Sequence, residues 1–579
     1  MKQMHQNKND EETIFSSSAK GDLYHAFNNF KLQKSNKRSQ AISGFCLEFG
    51  IGTDRDIIKA LQHYESSKDN GLSLVRLAFL RKYGRANVVI DRHEANILKS
   101  ESFKRPDVLE ILKKGSILRN SYAQYSLGLC YHEGLGVFKD YNKGINLFKL
   151  SAQQENLFAL EILAYCYLKG CGVPKNESKA FDLYIKGAEK QSEVSIYNIG
   201  YCYELGKGVQ RNAEIAFKWY QKAAEMGNQY GLNSLGFCYE EGIGTIVNEK
   251  NAFINYKKSA QLGYPWAQSN LAYCYQKGIG TKIDEELCFF WYKKAAIQGL
   301  SRAQHNLGHC YHQGIGTEVN YKLAVFWYFK AAQLKNVYAY HSLGNCFANG
   351  DGIEKNEEQA FFYYSKAAEK GFSPSFISLS FCYRLGTGTK CNPRYAFENM
   401  LKAAKEDNAY AQNCVGYFYE EGYGTHQNIN LAIEWYLKAA AQGNAWALCN
   451  LGVLYFNGEH VPMNREKAVK YFIDAASTGQ PRAINKLAHC YEEGIVLDRN
   501  YETAFRFYIR ASEKGHIKSH YDVGRMLEKG KGCIKDIDES LIYFYRGWIY
   551  GDLRGRERIR LILYKYLEND YLRCAPCVQ

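Results

Sequence analysis

Residues 229–264 read QYGLNSLGFCYEEGIGTIVNEKNAFINYKKSAQLGY, and this stretch decides the fold. Apolar and small residues recur at helical spacing up to Tyr239, the glycines Gly242 and Gly244 interrupt the pattern, and a second apolar face follows from Ala252. Helical periodicity interrupted by a Gly-x-Gly turn predicts two helices joined by a tight loop. We expect about 13 residues in the first helix and about 15 in the second.

The same unit recurs at a constant spacing of 36 residues along most of the chain. One small residue of the first helix marks each copy. We call these positions the grid points, and they are Gly128, Ala164, Gly200, Gly236, Ala272, Gly308, Gly344, Ser380, Gly416, Gly452, Ala488 and Gly524. Small residues at these points let two helices approach closely. A fixed period of this size is typical of a solenoid, in which each unit buries its apolar face against its neighbours. We therefore predict an all-α stack of antiparallel helix pairs, with twelve regular repeats over residues 118–551.

The flanking segments are predicted to extend the stack. Residues 19–117 hold two further units, and the step of 50 residues from Ala78 to Gly128 is 14 longer than the period, which predicts an insertion near 85–106. Residues 1–18 are polar and predict a disordered lead-in. Residues 552–579 predict a capping helix and a tail with the pair Cys574 and Cys577, for which a frayed tail is the simpler interpretation.

The repeated unit resembles the Sel1-like repeat, a relative of the tetratricopeptide repeat. The family pattern is Ala…Leu-Gly…Tyr…Gly-x-Gly followed by Ala…Trp-Tyr…Lys-Ala-Ala…Gly. Residues 303–335, AQHNLGHCYHQGIGTEVNYKLAVFWYFKAAQLK, match it. The resemblance implies a right-handed α-α superhelix of about 14 repeats that holds protein partners. It also implies relatives that serve as adaptors in endoplasmic-reticulum protein degradation, activators of chitin synthase and signalling scaffolds.

The cysteines follow the repeat. Ten of the 18 share one first-helix position: Cys46, Cys130, Cys166, Cys202, Cys238, Cys274, Cys310, Cys346, Cys382 and Cys490. Equivalent positions in adjacent repeats lie about 10 Å apart, beyond the roughly 7 Å that a disulfide spans between Cα atoms. Phe418, Leu454 and Met526 replace cysteine there, so we predict an apolar core position. The sequence lacks the regular second cysteine of secreted Sel1-like proteins, which indicates a reducing compartment.

The sequence carries no recognisable catalytic motif. None of the Gly-x-Gly pairs leads into a phosphate-binding loop, and neither a nucleophile elbow nor a kinase motif set occurs. His305, His309 and His312 share one helical face and could bind zinc, but no carboxylate or cysteine at matching spacing completes a site, so we interpret them as polar surface residues. We predict no enzyme activity, no cofactor, no metal and no small-molecule substrate.

Two rows of first-helix residues form the candidate partner-binding site. By analogy with tetratricopeptide arrays, the first helices line a concave face, and the positions two before and one after each grid point face outward. Carboxamides can bind an extended peptide backbone, and exposed aromatic rings supply apolar contacts. The candidate residues are Asn198, Tyr201, Phe237, Asn270, Tyr273, Asn306, His309, Tyr417 and Asn450. In the alternative interpretation the amides belong to the repeat pattern and the aromatic rings pack against the next repeat.

Charges also repeat with the period. The second helices carry a lysine at Lys186, Lys222, Lys258, Lys294, Lys330, Lys366, Lys402 and Lys438. These lysines could attract an anionic partner, or they could cover the core with their stems and keep the ammonium groups in water. Glutamates end several first helices, where the helix dipole disfavours them. Basic partners or solvated loop edges would both explain these glutamates.

We predict a scaffold or adaptor for protein–protein interaction, which binds peptide segments or protein partners along the concave face. Signalling is one process in which such a scaffold could act. One alternative is an RNA-binding repeat protein, which the net charge of +14 allows. The acidic helix ends would repel phosphate, so nucleic acid is not the favoured partner. A second alternative is an activator of a membrane enzyme such as chitin synthase, although Cys577 lies too close to the terminus for a prenylation box. No membrane span or signal peptide is expected, which places the chain in the cytoplasm, with the nucleus still open.

Overall fold

The computed structural model describes residues 2–17, 20–33, 35–83, 92–102, 105 and 109–573. In these ranges the regular secondary structure is helical and no strand occurs. The described residues form two compact units, and the boundary between them lies between Ala339 and Tyr340. No helix in the described ranges is both long enough and apolar enough to cross a membrane.

Unit 1, up to Ala339, contains helices α1 (Lys2–Ser16), α2 (Lys20–Leu32), α3 (Lys37–Phe49), α4 (Ile57–Ser66), α5 (Gly71–Tyr83), α6 (Arg92–Ser102), α7 (Glu110–Ile117), α8 (Ser121–Glu133), α9 (Tyr141–Gln153), α10 (Leu157–Lys169), α11 (Glu177–Glu189), α12 (Glu193–Leu205), α13 (Ala213–Glu225), α14 (Gln229–Glu241), α15 (Glu249–Gln261), α16 (Pro265–Lys277), α17 (Glu285–Ile297), α18 (Ser301–Gln313), α19 (Tyr321–Gln333) and the start of α20 (Val337–Asn349). Unit 2 contains the rest of α20 and helices α21 (Glu357–Ala368), α22 (Ser373–Leu385), α23 (Pro393–Lys405), α24 (Ala409–Glu421), α25 (Ile429–Ala441), α26 (Ala445–Asn457), α27 (Arg465–Ser477), α28 (Pro481–Glu493), α29 (Tyr501–Glu513), α30 (Ile517–Lys529), α31 (Ile537–Ile549) and α32 (Leu553–Arg573).

Each regular repeat is a pair of antiparallel helices, as the sequence predicts. In residues 229–264 the side chains of Asn228 and Asn248 accept backbone N–H bonds at the starts of α14 and α15. Gly242 ends α14 in the left-handed conformation. Both helices have 13 residues. The 15 residues predicted for the second helix are therefore wrong, because Asn248 caps its start and the helix ends before Leu262.

Each glycine grid point lies against an aromatic ring of the second helix in the same repeat. A Cβ atom added at Gly236 would lie 2.8 Å from ring carbons of Tyr256, the second-helix residue packed across from it. Tyr256 is fully buried. This contact confirms the reason for a small residue at the grid point.

The shared cysteine position is a core position, as predicted. All ten cysteines at this position are buried, and the 16 described cysteines are free thiols. Burial raises the pKa of Cys238 to about 12, so its thiol stays protonated at neutral pH. Cys574 and Cys577 lie outside the described residues.

The N-terminal segment differs from the disorder predicted for residues 1–18. Helix α1 covers Lys2–Ser16, and it buries Ile14 and Phe15 almost completely. The Phe15 ring packs edge-on against Phe45 at 6.0 Å between centroids, and Glu11 pairs with Arg38 of α3 at 2.7 Å. The mean hydropathy of the segment is low, which is why its sequence predicts disorder. The few apolar residues at its end are nevertheless buried against the first repeat.

The predicted insertion near 85–106 is described only in part. Helix α6 lies within it and packs against α5, while residues 84–91, 103–104 and 106–108 lie outside the described ranges. At the other end of the chain, α32 packs against α31 at the place predicted for a capping helix.

The glutamates at the ends of the first helices have structural partners. In six repeats a second-helix tyrosine donates its hydroxyl to a residue 16 positions earlier at the end of the first helix. These pairs are Tyr64–Glu48, Tyr220–Glu204, Tyr256–Glu240, Tyr292–Gln276, Tyr436–Glu420 and Tyr508–Glu492. The bond from Tyr256 to Glu240 is 2.6 Å long. The acceptor satisfies a hydroxyl at the edge of the core, which explains an acidic residue at an end that the helix dipole disfavours.

Removing one of these acceptors should destabilise the repeat measurably. We expect Glu240→Ala to lower the free energy of unfolding by about 1–3 kcal/mol, because the Tyr256 hydroxyl loses its acceptor. Its exposed neighbour Glu241 gives a matched control, and Glu241→Ala should change stability by no more than about 0.5 kcal/mol. Urea denaturation followed by circular dichroism compares the two variants. Equal midpoints for both would show that the tyrosine–glutamate bond adds nothing.

Five lysines of the row lie over aromatic side chains of their own second helices: Lys222, Lys294, Lys330, Lys366 and Lys438. The ammonium group of Lys222 is 5.4 Å from the ring centre of Trp219, and that of Lys438 is 4.2 Å from Trp435. Both lysines remain exposed. These contacts fit the interpretation that the stems cover apolar surface while the charges stay in water.

Candidate partner-binding surface

Five first-helix residues, each one position after a grid point, form what we call the aromatic row of unit 1: Tyr165, Tyr201, Phe237, Tyr273 and His309. They come from five consecutive repeats, on α10, α12, α14, α16 and α18. Tyr165 is 43% exposed, Phe237 is 41% exposed, and His309 is also exposed. Tyr201 and Tyr273 are half-buried. The row therefore leaves a periodic set of rings in contact with solvent.

The predicted carboxamides are held by bonds within and between first helices. Asn198 donates to the carbonyl of Val194 at 2.8 Å. Asn270 donates at 3.1 Å to Asn233 on the preceding first helix, which shows that α14 and α16 are direct neighbours. A carboxamide has two N–H donors and a carbonyl oxygen, so a single bond leaves further capacity for a partner.

The three histidines of α18 have different surroundings. His305 stacks between Tyr328 and Tyr338, with its Nδ1 3.2 Å from Oδ1 of Asn306. His312 contacts the edge of the Tyr321 ring at 5.0 Å between centroids. Burial lowers the pKa of His309, and the charges of His312 and Lys277 add to this effect. A neutral His309 fits the apolar character of the aromatic row.

One group of three side chains in the described ranges has the spacing to hold a metal ion: His489, Glu492 and Glu493. Glu492 is almost fully buried, and both of its oxygens accept bonds of 2.6 Å from Arg525. It also accepts from Tyr508 at 3.0 Å. The charge of this carboxylate is already neutralised by a protein partner, so the group does not fit a metal site.

Unit 2 contains a pocket of about 220 Å³ that is lined by the first helices α22, α24, α26 and α28 and by Met400 of the second helix α23. Its lining includes the predicted residues Tyr417 and Asn450, and the sequence analysis did not single out most of the others. The lining residues are Ser380, Phe381, Arg384, Met400, Asn413, Cys414, Tyr417, Phe418, Trp446, Asn450 and Arg482. Tyr417 and Trp446 are 45% and 53% exposed, so aromatic surface lies at the mouth of the pocket.

A chain of polar contacts crosses the pocket. Nη1 of Arg482 donates to Oδ1 of Asn450 at 3.2 Å, and Nδ2 of Asn450 donates to Oδ1 of Asn413 at 3.2 Å. Arg384 lies 6.0 Å from the ring centre of Phe381. No carboxylate of the described residues forms an ion pair with Arg384 or Arg482. Two guanidinium groups thus face a partly apolar cavity without an acidic partner.

The repeat pattern contains the signal that could have located this pocket. Arg384 occupies the position at which Glu204, Glu240 and Glu420 accept their tyrosine bonds, and Met400 occupies the position of the tyrosine. Both members of the pair are replaced in the same repeat. Neither replacement stands out in the sequence as long as the tyrosine partners of the glutamates are unknown.

Comparison with known proteins identifies the repeat. A family model described as the Sel1 repeat matches residues 38–72, 121–156, 158–192, 194–228, 229–264, 267–300, 301–336, 337–372, 377–408, 409–444, 447–479, 481–516 and 517–547. No curated protein sequence matches the chain.

The similar solved structures include two other repeat proteins. The protein c5321, a protective antigen present in uropathogenic Escherichia coli strains that displays an SLR fold, is 28% identical, with a TM-score of 0.60 and coverage of 78% of this chain and 97% of that one. A Sel1 repeat protein from Oxalobacter formigenes is 29% identical, with a TM-score of 0.38 and coverage of 42% and 96%.

Proposed function

Because the chain belongs to the Sel1 repeat family, we propose that it is an adaptor that binds peptide segments or protein partners on the face of its first helices. Arrays of helical repeats present extended surfaces made from equivalent positions of successive units. A partner segment can therefore contact several repeats at once.

The aromatic row of unit 1 carries this proposal. Tyrosine and phenylalanine are enriched at protein interfaces and among the residues that contribute most to binding. Tyr201, Phe237 and Tyr273 present three such rings in adjacent repeats. Asn270 lies on the same first helix as Tyr273, three residues before it, and supplies polar groups beside the rings. This combination suits a peptide with apolar side chains and an extended backbone.

We propose a non-catalytic role in a reducing compartment, with the cytoplasm as the expected location and the nucleus as the other option. The carboxylates Glu240 and Glu420 are held by tyrosine hydroxyls, and Glu492 is held by Arg525. These contacts give the glutamates a structural role, which supports the proposal of a non-catalytic protein. The 16 free cysteines fit a reducing environment.

Replacing the three central rings should weaken partner binding. We expect Tyr201→Ala, Phe237→Ala and Tyr273→Ala, combined in the full chain, to reduce the recovery of bound proteins at least about tenfold, because truncating interface aromatics costs about 2 kcal/mol or more. Proximity labelling in intact cells measures the recovery and also reports the compartment. Circular dichroism melts confirm that the variant is folded.

The second helices provide a matched control. Phe290, Phe326 and Phe362 are also spaced by 36 residues and are 44%, 49% and 48% exposed. Their combined replacement by Ala should leave recovery unchanged. If the first-helix variant binds as the wild type does, the aromatic row is not the interface. Recovery that nuclease treatment abolishes would favour the RNA alternative, and specific labelling of one membrane enzyme would favour the activator alternative.

A further inference from the structure

We propose that the pocket of unit 2 binds an acidic peptide segment, with an aromatic or large apolar side chain in the pocket and a neighbouring Asp or Glu carboxylate on Arg384 and Arg482. This inference rests on the proposed function, since it specifies the partner chemistry at the predicted residues Tyr417 and Asn450.

The first support is the replacement of a structural pair by a cation. Where a tyrosine hydroxyl bonds to a glutamate in five other repeats and to Gln276 in a sixth, residues 373–408 have Arg384 and Met400. Met400 is 1% exposed and leaves no hydroxyl to satisfy. Arg384 is exposed, and the second helix offers it no tyrosine hydroxyl at the position of Met400. The substitution reverses the charge at the edge of the pocket.

The second support is a cluster of cations that extends from the pocket along α28. Lys486 is half-buried and lies one helical turn after Arg482. Burial lowers the pKa of Lys486, and repulsion from Arg482 and Lys518 lowers it further. The nearby carboxylates are engaged elsewhere, since Glu492 binds Arg525 and Asp522 accepts a bond from Asn485 at 2.9 Å. An anionic group at this cluster would relieve like-charge repulsion.

The third support is the apolar and amide lining. Phe381, Tyr417 and Trp446 surround a volume of about 220 Å³, which is below the range of about 300–1,000 Å³ that small-molecule sites occupy. This volume suits a single side chain. Asn450 uses one of its two N–H donors on Asn413, and the other can bind a peptide carbonyl.

Charge and shape favour a peptide over a nucleic acid. A nucleic acid strand carries a phosphate at every nucleotide, whereas the cations of this pocket are confined to Arg384 and Arg482, with Lys486 beside them. A peptide can place one carboxylate at the arginines and keep its other residues neutral. Guanidinium groups bind carboxylates through paired, charge-assisted hydrogen bonds.

Three fluorescein-labelled eight-residue peptides test the proposal with the full chain. One contains a phenylalanine flanked by Asp and Glu, the second has Asn and Gln in place of the acids, and the third has Lys. Fluorescence anisotropy should show that the acidic peptide binds at least about tenfold more tightly than the neutral one, because charged hydrogen bonds are lost in the latter. The lysine peptide should bind least.

Variants locate the site. Arg384→Gln and Arg482→Gln should each weaken the acidic peptide at least about tenfold, whereas Arg394→Gln, at an 81% exposed arginine outside the pocket, should not. The double variant Arg384→Glu with Met400→Tyr restores the pair found at Glu420 and Tyr436. It should fold and lose the acidic peptide.

The results separate this inference from the proposed function. Equal affinity for the acidic and neutral peptides, no binding of the acidic one, or unchanged binding by both arginine variants would overturn the acidic-peptide site. Tighter binding of a single-stranded oligouridylate at the same arginines would overturn it in favour of nucleic acid. In each case, the aromatic-row variant of unit 1 still decides whether the chain is an adaptor.

Discussion

The variant Arg76→Met is expected to destabilise the first repeats of unit 1 by about 3–5 kcal/mol, because it leaves a buried carboxylate without its partner. Arg76 and Glu48 are 1% and 3% exposed. Nε of Arg76 donates to Oε2 of Glu48 at 2.9 Å, and its Nη2 donates to the other oxygen. The guanidinium also lies about 5 Å from the ring centres of Phe49 and Phe79. Arg76 is among the largest fully buried side chains of the described residues.

The loss of stability in Arg76→Met should affect the helices around Arg76 before the rest of the chain. Arg76 lies on α5 and Glu48 on α3, and Nη1 of Arg76 is 3.4 Å from Ser126 on α8. Hydrogen exchange measured by mass spectrometry should therefore rise in α3, α5 and α8 first, because neighbouring repeats contribute separately to the stability of a repeat array. Denaturation by urea gives the magnitude.

Two comparisons identify the cause. The double variant Glu48→Gln with Arg76→Met removes the unpaired charge and keeps an acceptor for the hydroxyl of Tyr64, which donates to Glu48 at 2.8 Å. It should be more stable than Arg76→Met alone. Arg506, whose side chain is 76% exposed, pairs with Glu502. Arg506→Met should change stability by less than about 1 kcal/mol. An Arg76→Met variant as stable as the Arg506→Met control would contradict the expectation.

The second large effect is expected at the second glycine of the Gly-x-Gly turn. Gly244 has φ of 68°, and a Cβ atom there would lie 2.3 Å from the carbonyl oxygen of Ala213, at the start of α13 in the preceding repeat. Gly244→Ala should lower stability by about 2–5 kcal/mol, because backbone strain of about 1–2 kcal/mol adds to overlap of about 1–3 kcal/mol. Thermal unfolding followed by circular dichroism measures the change.

The first glycine of the same turn gives the control. Gly242 has φ of 70°, and a Cβ atom there would lie 3.0 Å from Cγ2 of Val247 and 3.4 Å from the carbonyl oxygen of Thr245, both farther than the 2.3 Å contact at Gly244. Gly242→Ala should therefore cost only the backbone strain of about 1–2 kcal/mol. Val496 holds the position equivalent to Gly244 in a later repeat with φ of 63°, so a side chain can adopt this conformation. If Gly242→Ala and Gly244→Ala lower stability equally, the backbone near Ala213 moves away from the added Cβ atom without a loss of stability.

Much of the fold was predictable because its causes are local. The apolar spacing and the turn at Gly242 and Gly244 depend on residues that are close in the chain, and the period of 36 residues multiplies this information. The predicted disorder of residues 1–18 failed because α1 is ordered by contacts with α3, such as that between Phe15 and Phe45. Mean hydropathy does not report such contacts.

The candidate site was predictable only in outline. The sequence identified Tyr417 and Asn450 as surface positions of first helices, and the structure brings them together in one pocket with Trp446. It did not identify Arg384 or Arg482, because their significance depends on which charges surround them in space. The aromatic row of unit 1 follows from one position that repeats with the period, and its role in partner binding stays a prediction.

Spacing along one helix and the next was enough to predict a stack of helix pairs, a core position for the cysteines and a periodic row of rings, because each of these depends on residues that are close in the chain. The partners of the polar groups, in contrast, depend on contacts between repeats that the spacing does not report. Bonds such as Asn270 to Asn233 and Asn450 to Asn413 join residues 37 positions apart, and Glu492 is bound by Arg525 from another repeat. Such partners are chosen by distance in space and by the lack of water at the contact, so they decide which cations of the first helices are left free to bind a partner.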